Sequence, residues 1–370
     1  MTEFSTLPPA IHNHVAKDVI PGHDAEKLNQ AVDRTVQIAA RASEVSQQIL
    51  EIILQYSLNK FNHSADKLAL GVPLFLSVIS GFVVEEKRIK MVLPSFPFKS
   101  ANKVYKVLGF LPDKAEELSL ERLNTMCERI AEIYTPGATL TIVSDGLVYN
   151  DLLCIPDKDV WAYGQAIRAM AVEKGFTHVE FSRIRDLVSF PLPQQLEEIT
   201  YVANATNFRC YMLNKHGKPN LDVDAEIANN MDTLMTYRGY SRFLHSDLQH
   251  AFHSKKSLGA NEYRRNVKFL AKEMLRRGYA FAEAIEKTYP DCLRLSIHES
   301  TGANKVSISL LNTKSGYTTP WHCSVALLET GEWLSAPMGE FLDDETLEVV
   351  EENGRPSYFR SKLLNANDQA

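Results

Sequence analysis

Paired cysteines are the first thing this sequence lacks. Its five cysteines (Cys127, Cys154, Cys210, Cys292 and Cys323) are scattered, with no Cys-x-x-Cys. That argues against a zinc site and a disulfide scaffold, and it fits a reducing cytoplasm. A basic block is missing too, and the net charge is −6, so nucleic acid is not an expected partner. The phosphate-cradling glycine motifs are absent: no G-x-G-x-x-G follows the first strand-like run and no G-x-x-x-x-G-K-[ST] occurs. The longest apolar run, Leu68 to Val84, is interrupted by Gly71, Pro73, Ser77, Ser80 and Gly81, and is too short for a membrane span. The opening residues, MTEFSTLPPAIHNH, lack the charged region and apolar core of a signal peptide. These absences lead us to expect a cytoplasmic protein with no membrane partner.

What is present is ordinary globular material, and 370 residues give ample core for one large domain or two modest ones. Residues 1–24, punctuated by Pro8, Pro9, Pro21 and Gly22, read as an irregular arm. From Asp24 to Tyr56 apolar residues recur at helical spacing, and a second helix is expected around 73–86. A strand at Ile89–Leu93 is followed by a helix over Leu118–Tyr134, capped by Ser119, and by a strand at Leu140–Val143. A further helix, Val160–Lys174, leads to a strand at His178–Phe181. Residues 188–260 read as a helical insertion or lid, and Glu262–Tyr289 as one more helix. Leu293–Ile297, Lys305–Leu311 and Cys323–Leu328 are expected to form an antiparallel meander, with a polar, loosely held tail after Gly354. The fold class predicted is α/β: a Rossmann-like, mostly parallel sheet with an antiparallel C-terminal extension and a helical N-terminal extension. Residues 1–60 form that extension, and 61–370 a single catalytic domain.

The chain is organised around RIKMVLPSFPFKSANKVYKVLGFLPDKAEE, Arg88 to Glu117. Pro94 and Pro97 stop its strand because proline cannot donate to a sheet ladder. Ser95, Phe96, Phe98, Lys99, Ser100 and Asn102 follow at once. A strand opening into a rigid loop with a hydroxyl, an amine and an amide suits a binding site at the C-terminal edge of an α/β sheet. The plainer reading is a surface turn with a solvated lysine. Two later stretches matter with it: PGATLTIVSDGLVYNDLL at 136–153, and RLSIHESTGANKVSISLL with TTPWHCSV at 294–325.

Together these three stretches resemble the isocyanide (isonitrile) synthase family, which contains the pyoverdine and dityrosine biosynthesis proteins. The resemblance covers roughly residues 70–330. It implies an enzyme that joins the nitrogen of an L-amino acid to one carbon of ribulose 5-phosphate, leaving an isonitrile carboxylate, with tyrosine or tryptophan the expected amino acid. It implies no cofactor and no metal, and a separate Fe(II)/2-oxoglutarate oxygenase as a partner acting on the product. A dityrosine-type enzyme making an N-formyl tyrosine product is the alternative.

That chemistry needs cations for a phosphate, an arginine fork for a carboxylate and proton-transfer groups near pH 7. Lys99 is a candidate for phosphate binding or acid catalysis, with Ser95, Ser100 and Asn102 beside it. Asp145, in Ser144–Asp145–Gly146, is a base or the cap of its own turn. Tyr149 and Asp151 are candidates for the sugar hydroxyls, although Tyr149 could equally pack, and Ser144 is a further substrate-binding candidate. Arg294, Ser296 and His298 alternate along one strand and so share a face. If 294–298 and 305–311 pair as a hairpin, Lys305 lies near His298. Arg294 and Lys305 would then clamp anions while His298 and His322 move protons, with Trp321 as a pocket wall. One competing motif is His245–Ser246–Asp247, an H-x-D that with a distant histidine would make the iron triad of a non-haem oxygenase. It sits in a helical, charged stretch rather than on strands, which disfavours that reading.

Overall fold

The computed structural model describes residues 22–58, 64–182, 184–189, 196–250, 258–313 and 315–367. Most of the arm expected over 1–24 lies outside these residues. Helix α1 (Gly22–Leu54) is one continuous helix, and α2 (Ser64–Val84) begins well before position 73. The last turns of α1 bury Ile49 and Ile53 in the same core as Ile79 of α2 and the first strand.

Five strands build the main sheet: β1 (Ile89–Pro94), β2 (Ala138–Val143), β3 (Val179–Ser182), β4 (Leu293–Ser296) and β5 (Val306–Ser307). Every pairing in it is parallel, in the order β3-β2-β1-β4-β5. Met91, Val92 and Leu93 are fully buried in the central strand, as the uninterrupted apolar run demands when helices cover both faces of a sheet. Helix α3 (Lys114–Ile133) connects β1 to β2 and starts earlier than Leu118. Its cap is Asp113, whose side chain accepts from the Ala115 N–H while Glu116 accepts from the Asp113 N–H. Ser119 instead sits inside the helix, donating to the Ala115 carbonyl. A short α4 (Gly146–Tyr149) follows β2, and α5 (Asp157–Glu173) returns the chain to β3.

Helices α6 (Ile184–Leu187), α7 (Glu198–His216), α8 (Val223–Asn229), α9 (Met231–Asp247) and α10 (Ala260–Thr288) separate β3 from β4. They carry a second core, in which Phe208, Leu244 and Ala271 join Val143 and Leu147 from the β2 side.

The expected antiparallel meander does not form. β4 follows a long helix and enters beside β1, so it runs parallel to it, and β5 pairs β4 in the same sense. No 294–298/305–311 hairpin exists. The antiparallel pairs belong to a second, mixed sheet ordered β7-β6-β9-β8, made of β6 (Ser324–Leu327), β7 (Trp333–Ala336), β8 (Leu347–Glu352) and β9 (Arg355–Ser361). Here the tail expectation also fails, because β9 is an inner strand. Its alternate residues Ser357, Phe359 and Ser361 point inward, and serine on the buried face makes the stretch read as polar.

Candidate active site

The strand order reverses between β1 and β4. At such a switch point the loops leaving two neighbouring strands diverge and open a crevice beyond their carboxyl ends. Two joined chambers occupy that place, one of about 930 Å³ and one of about 240 Å³. Asp145, Tyr149, Tyr240, Ile297 and His298 line both and so form the passage between them.

The loop after β1 is the frame of the outer chamber more than its lining. Pro97 and Phe98 face the cavity, but the polar residues of the signature are spent on holding neighbouring segments. Lys99 is fully buried, with its Nζ 2.8 Å from Asp113 and 2.7 Å from Glu116, and it donates to the Pro320 carbonyl at 3.3 Å. Burial pushes the Glu116 carboxyl up to about 7 against the pull of the Lys99 charge. The Ser100 N–H donates to the Trp321 carbonyl, and Asn102 Nδ2 donates to the Ser246 carbonyl at the end of α9. Ser95 donates within its own loop to Leu93, and Ser144 reaches across to the Phe96 carbonyl. Phe96, wedged between the prolines, has φ of 53°, a left-handed backbone that a bulky residue holds only when its surroundings impose it. Its ring packs 5.4 Å from that of Trp321, itself in the cavity wall. None of Ser95, Lys99, Ser100, Asn102 or Ser144 lines either chamber.

The frame fixes His322, on a 3₁₀ turn at Pro320–His322, against α9. Its Nδ1 lies 2.9 Å from Asp247 Oδ2, and its ring stacks on Phe243 at 4.6 Å. The other oxygen of Asp247 takes a very short contact from Lys106 Nζ. Burial alone would raise the Asp247 carboxyl, but His322 and Lys106 outweigh it and hold it at about 2. An ionised Asp247 places the proton on Nδ1, leaving Nε2 to carry the lone pair toward a substrate. His245, the other half of the H-x-D, is exposed and packs against Tyr263, so the two side chains do not converge on one ligand. Arg238 and Arg242, one turn apart on α9, complete the outer chamber on its solvent side.

The inner chamber collects Arg294 and Ser296 from β4 and His298 just beyond it, together with Lys305 just before β5. Burial depresses both cations, Arg294 to about 10, and Lys305 despite the attraction of Asp232. Burial first, then Lys305 and His322, lowers His298 to about 3 and keeps its imidazole neutral. At the passage, burial lifts Asp145 to about 7. Its Oδ1 is buried without a hydrogen-bond partner, and its side chain makes no capping bond to α4. A carboxyl so placed can carry or release a proton near neutral pH. Tyr149 lies beside it, edge-on to Tyr240 at 6.3 Å. Asp151 points away and is pinned by Arg277 at 2.6 Å and Arg209 at 3.3 Å.

The structure therefore brings together His298, His322, Asp145, Tyr149, Arg294, Ser296, Lys305 and Trp321, and leaves Asp151 and the loop polar groups outside the cavity. Sequence reasoning missed Lys106, Tyr240, Phe243 and the partnership of Asp247 with His322. Lys106 was visible in the second half of the signature stretch. Asp247 stood out in sequence, though as part of a metal motif. Its neighbour in space comes from 75 positions further along.

An α/β protein with acid–base and cationic side chains gathered at the switch point of a parallel sheet is the class that fold and site define. The family described as pyoverdine/dityrosine biosynthesis protein matches residues 79–350, and the chain belongs to that family. It is 57% identical over 86% of its length to an isocyanide synthase–NRPS hybrid of Aspergillus fumigatus, of which it covers 20%. It is 42% identical over 85% of its length to an isocyanide synthase of the same fungus, covering 41% of that protein. The chain thus spans well under half of these two relatives. It is also 32% identical over 80% of its length to the L-tyrosine isonitrile synthase of Pseudomonas aeruginosa, covering 86% of it. The crystal structure of the PvcA protein from P. aeruginosa superimposes with a TM-score of 0.75 at 30% identity, covering 86% of this chain and 99% of that one. Among the described residues no helix is long and apolar enough to cross a membrane.

Proposed function

We propose that this chain is an isonitrile synthase that joins the amine of an L-amino acid, tyrosine or tryptophan, to a carbon of ribulose 5-phosphate. The observation that carries the reading is the two-chambered cavity of a family member. Acid–base groups stand at or beside the passage, and cations line each side. Amine attack on a ketone needs a base to free the amine lone pair and an acid to carry away the carbonyl oxygen as water. The Nε2 of His322 serves as the base, because Asp247 orients its ring. Asp145, protonated in part near neutrality, serves as the acid at the passage. His298, held neutral chiefly by burial and also by the Lys305 charge, donates or accepts a hydrogen bond there. Lys99 acts through the frame it braces and not on the substrate.

Incubating the purified chain with each common amino acid and ribulose 5-phosphate tests the proposal. The expected product is an isonitrile carboxylate, identified by mass and its infrared absorption. An N-formyl product from tyrosine would move the chain to the dityrosine-type alternative. No product from any amino acid would end the reading.

A further inference from the structure

The two chambers differ in chemistry, and the difference assigns the substrates. The inner one, at about 240 Å³, is about a quarter of the volume of the outer one, at about 930 Å³. It has room for a phosphoryl group and a short polyol. Two half-buried cations line it. Arg294 Nη1 is buried with no hydrogen-bond partner, a costly state that a bound anion relieves. Lys305 is half-buried, and of the two carboxylates that line the chamber, Asp232 is already engaged by the Thr301 N–H and hydroxyl, while Asp145 stands at the passage. Ser296, Thr233 and Tyr279 are among its other lining residues, with the Thr233 and Tyr279 hydroxyls bonded to each other at 2.6 Å. A carboxylate is satisfied by one arginine fork, whereas a dianion with three terminal oxygens calls for two cations and several hydroxyl donors. The outer chamber presents aromatic surface from Phe98, Tyr105, Phe243 and Trp321, with Arg238 and Arg242 toward solvent.

We propose that the inner chamber is the phosphate subsite, where Arg294 and Lys305 hold the phosphoryl group of the sugar phosphate. The amino acid then occupies the outer chamber, its carboxylate toward Arg242. This assignment takes the two-substrate reading above as its starting point. The sugar carbons run from the inner chamber into the passage, past His298 and Asp145, and meet the amine there. Arrival of the dianion also offsets the charges of Lys305 and Arg294 around His298.

Calorimetry on the full chain, with inorganic phosphate and then ribulose 5-phosphate as titrants, tests this without turnover. The parent is expected to bind both in competition. Arg294→Gln and Lys305→Gln should each weaken both by about 10- to 100-fold, the loss of one charge-assisted contact. Lys305→Arg should recover most of the binding, and Arg242→Gln should leave phosphate affinity within about 3-fold while raising the amino-acid KM. Far-UV circular dichroism checks that each variant folds. Parent-like phosphate binding in both glutamine variants, or a parent that binds neither titrant, overturns the subsite. If the glutamine variants lose phosphate while the parent makes no isonitrile, the subsite stands and the reaction reading falls. If the parent makes isonitrile and both variants keep phosphate, the reverse holds.

Discussion

The base role proposed for His322 depends on its neighbours. Asp247 fixes its tautomer, and Lys106 helps to keep Asp247 ionised, so on the proposed mechanism Asp247 acts through the imidazole. His322→Gln should lower kcat by roughly 10²–10⁴-fold with KM little changed. Asp247→Asn should fall in the same range and add little to His322→Gln in the double variant, because the two act as a unit. Asp145 carries the second residue-scale prediction. Its carboxyl is lifted from 3.8 to about 7, so between those values the folded state binds more protons than the unfolded state. Stability contributed here is therefore complete below about pH 4 and declines as pH rises through 7. Asp145→Asn should flatten that part of the pH–stability curve and be more stable than the parent at pH 8 by about 1–3 kcal/mol, measured by urea denaturation. The same substitution should abolish most turnover. A variant that kept the parental slope would show that this carboxyl is not the group responsible.

At the scale of elements, the site is an assembly of loops clamped to one another. Gly146 shows how tightly: a Cβ there would lie 2.6 Å from the Pro97 carbonyl and 2.6 Å from Val160. Any side chain would drive apart the loops after β1 and β2, the two that bring Phe98 and Asp145 to the cavity. Gly146→Ala should cost about 1–3 kcal/mol and lower kcat beyond what its loss of folded protein explains, as seen from activity per folded molecule. Lys99 is the other clamp. Lys99→Met leaves the buried Asp113 and Glu116 without their shared cation and should destabilise by about 3–5 kcal/mol. Glu116→Gln in the Lys99→Met background should return part of that loss. A Lys99→Met protein with unchanged stability would sink the bracing role and restore the lysine as a candidate for chemistry.

For the whole molecule, the second sheet binds the C-terminal strands to the loops of the candidate site. The Met338 and Gly339 N–H groups donate to the Lys106 and Tyr105 carbonyls, which joins α11 (Met338–Leu342) to the signature loop. β9 pairs with both β6 and β8 and buries Phe359. A chain ending at Gly354 would strip β6 of a partner and expose a hydrophobic edge. It should be recovered mainly as aggregate, whereas one ending at Asn365 should behave like the parent in solubility and melting temperature. Soluble, active protein from the shorter chain would show the second sheet to be dispensable.

By itself the sequence determined the local periods: helices at α3, α5 and α10, strands at β1, β2 and β3, and the parallel sense that short strand–helix–strand spacing imposes. It also placed Asp145, Tyr149, Arg294, His298, Lys305 and His322 near strand ends, where a sheet of this kind opens. What it could not carry was partnership across distance. Whether Lys99 meets a ligand or two carboxylates depends on α3 folding back over the loop. Whether Asp247 serves a metal or an imidazole depends on which segment docks beside α9. The sense of β4 is set by the long α10 that precedes it and by the open edge of β1, not by the alternation of its own residues. Side-chain pattern is a property of neighbours along the chain, and burial, pairing and charge are properties of neighbours in space, so only the tertiary structure decided those.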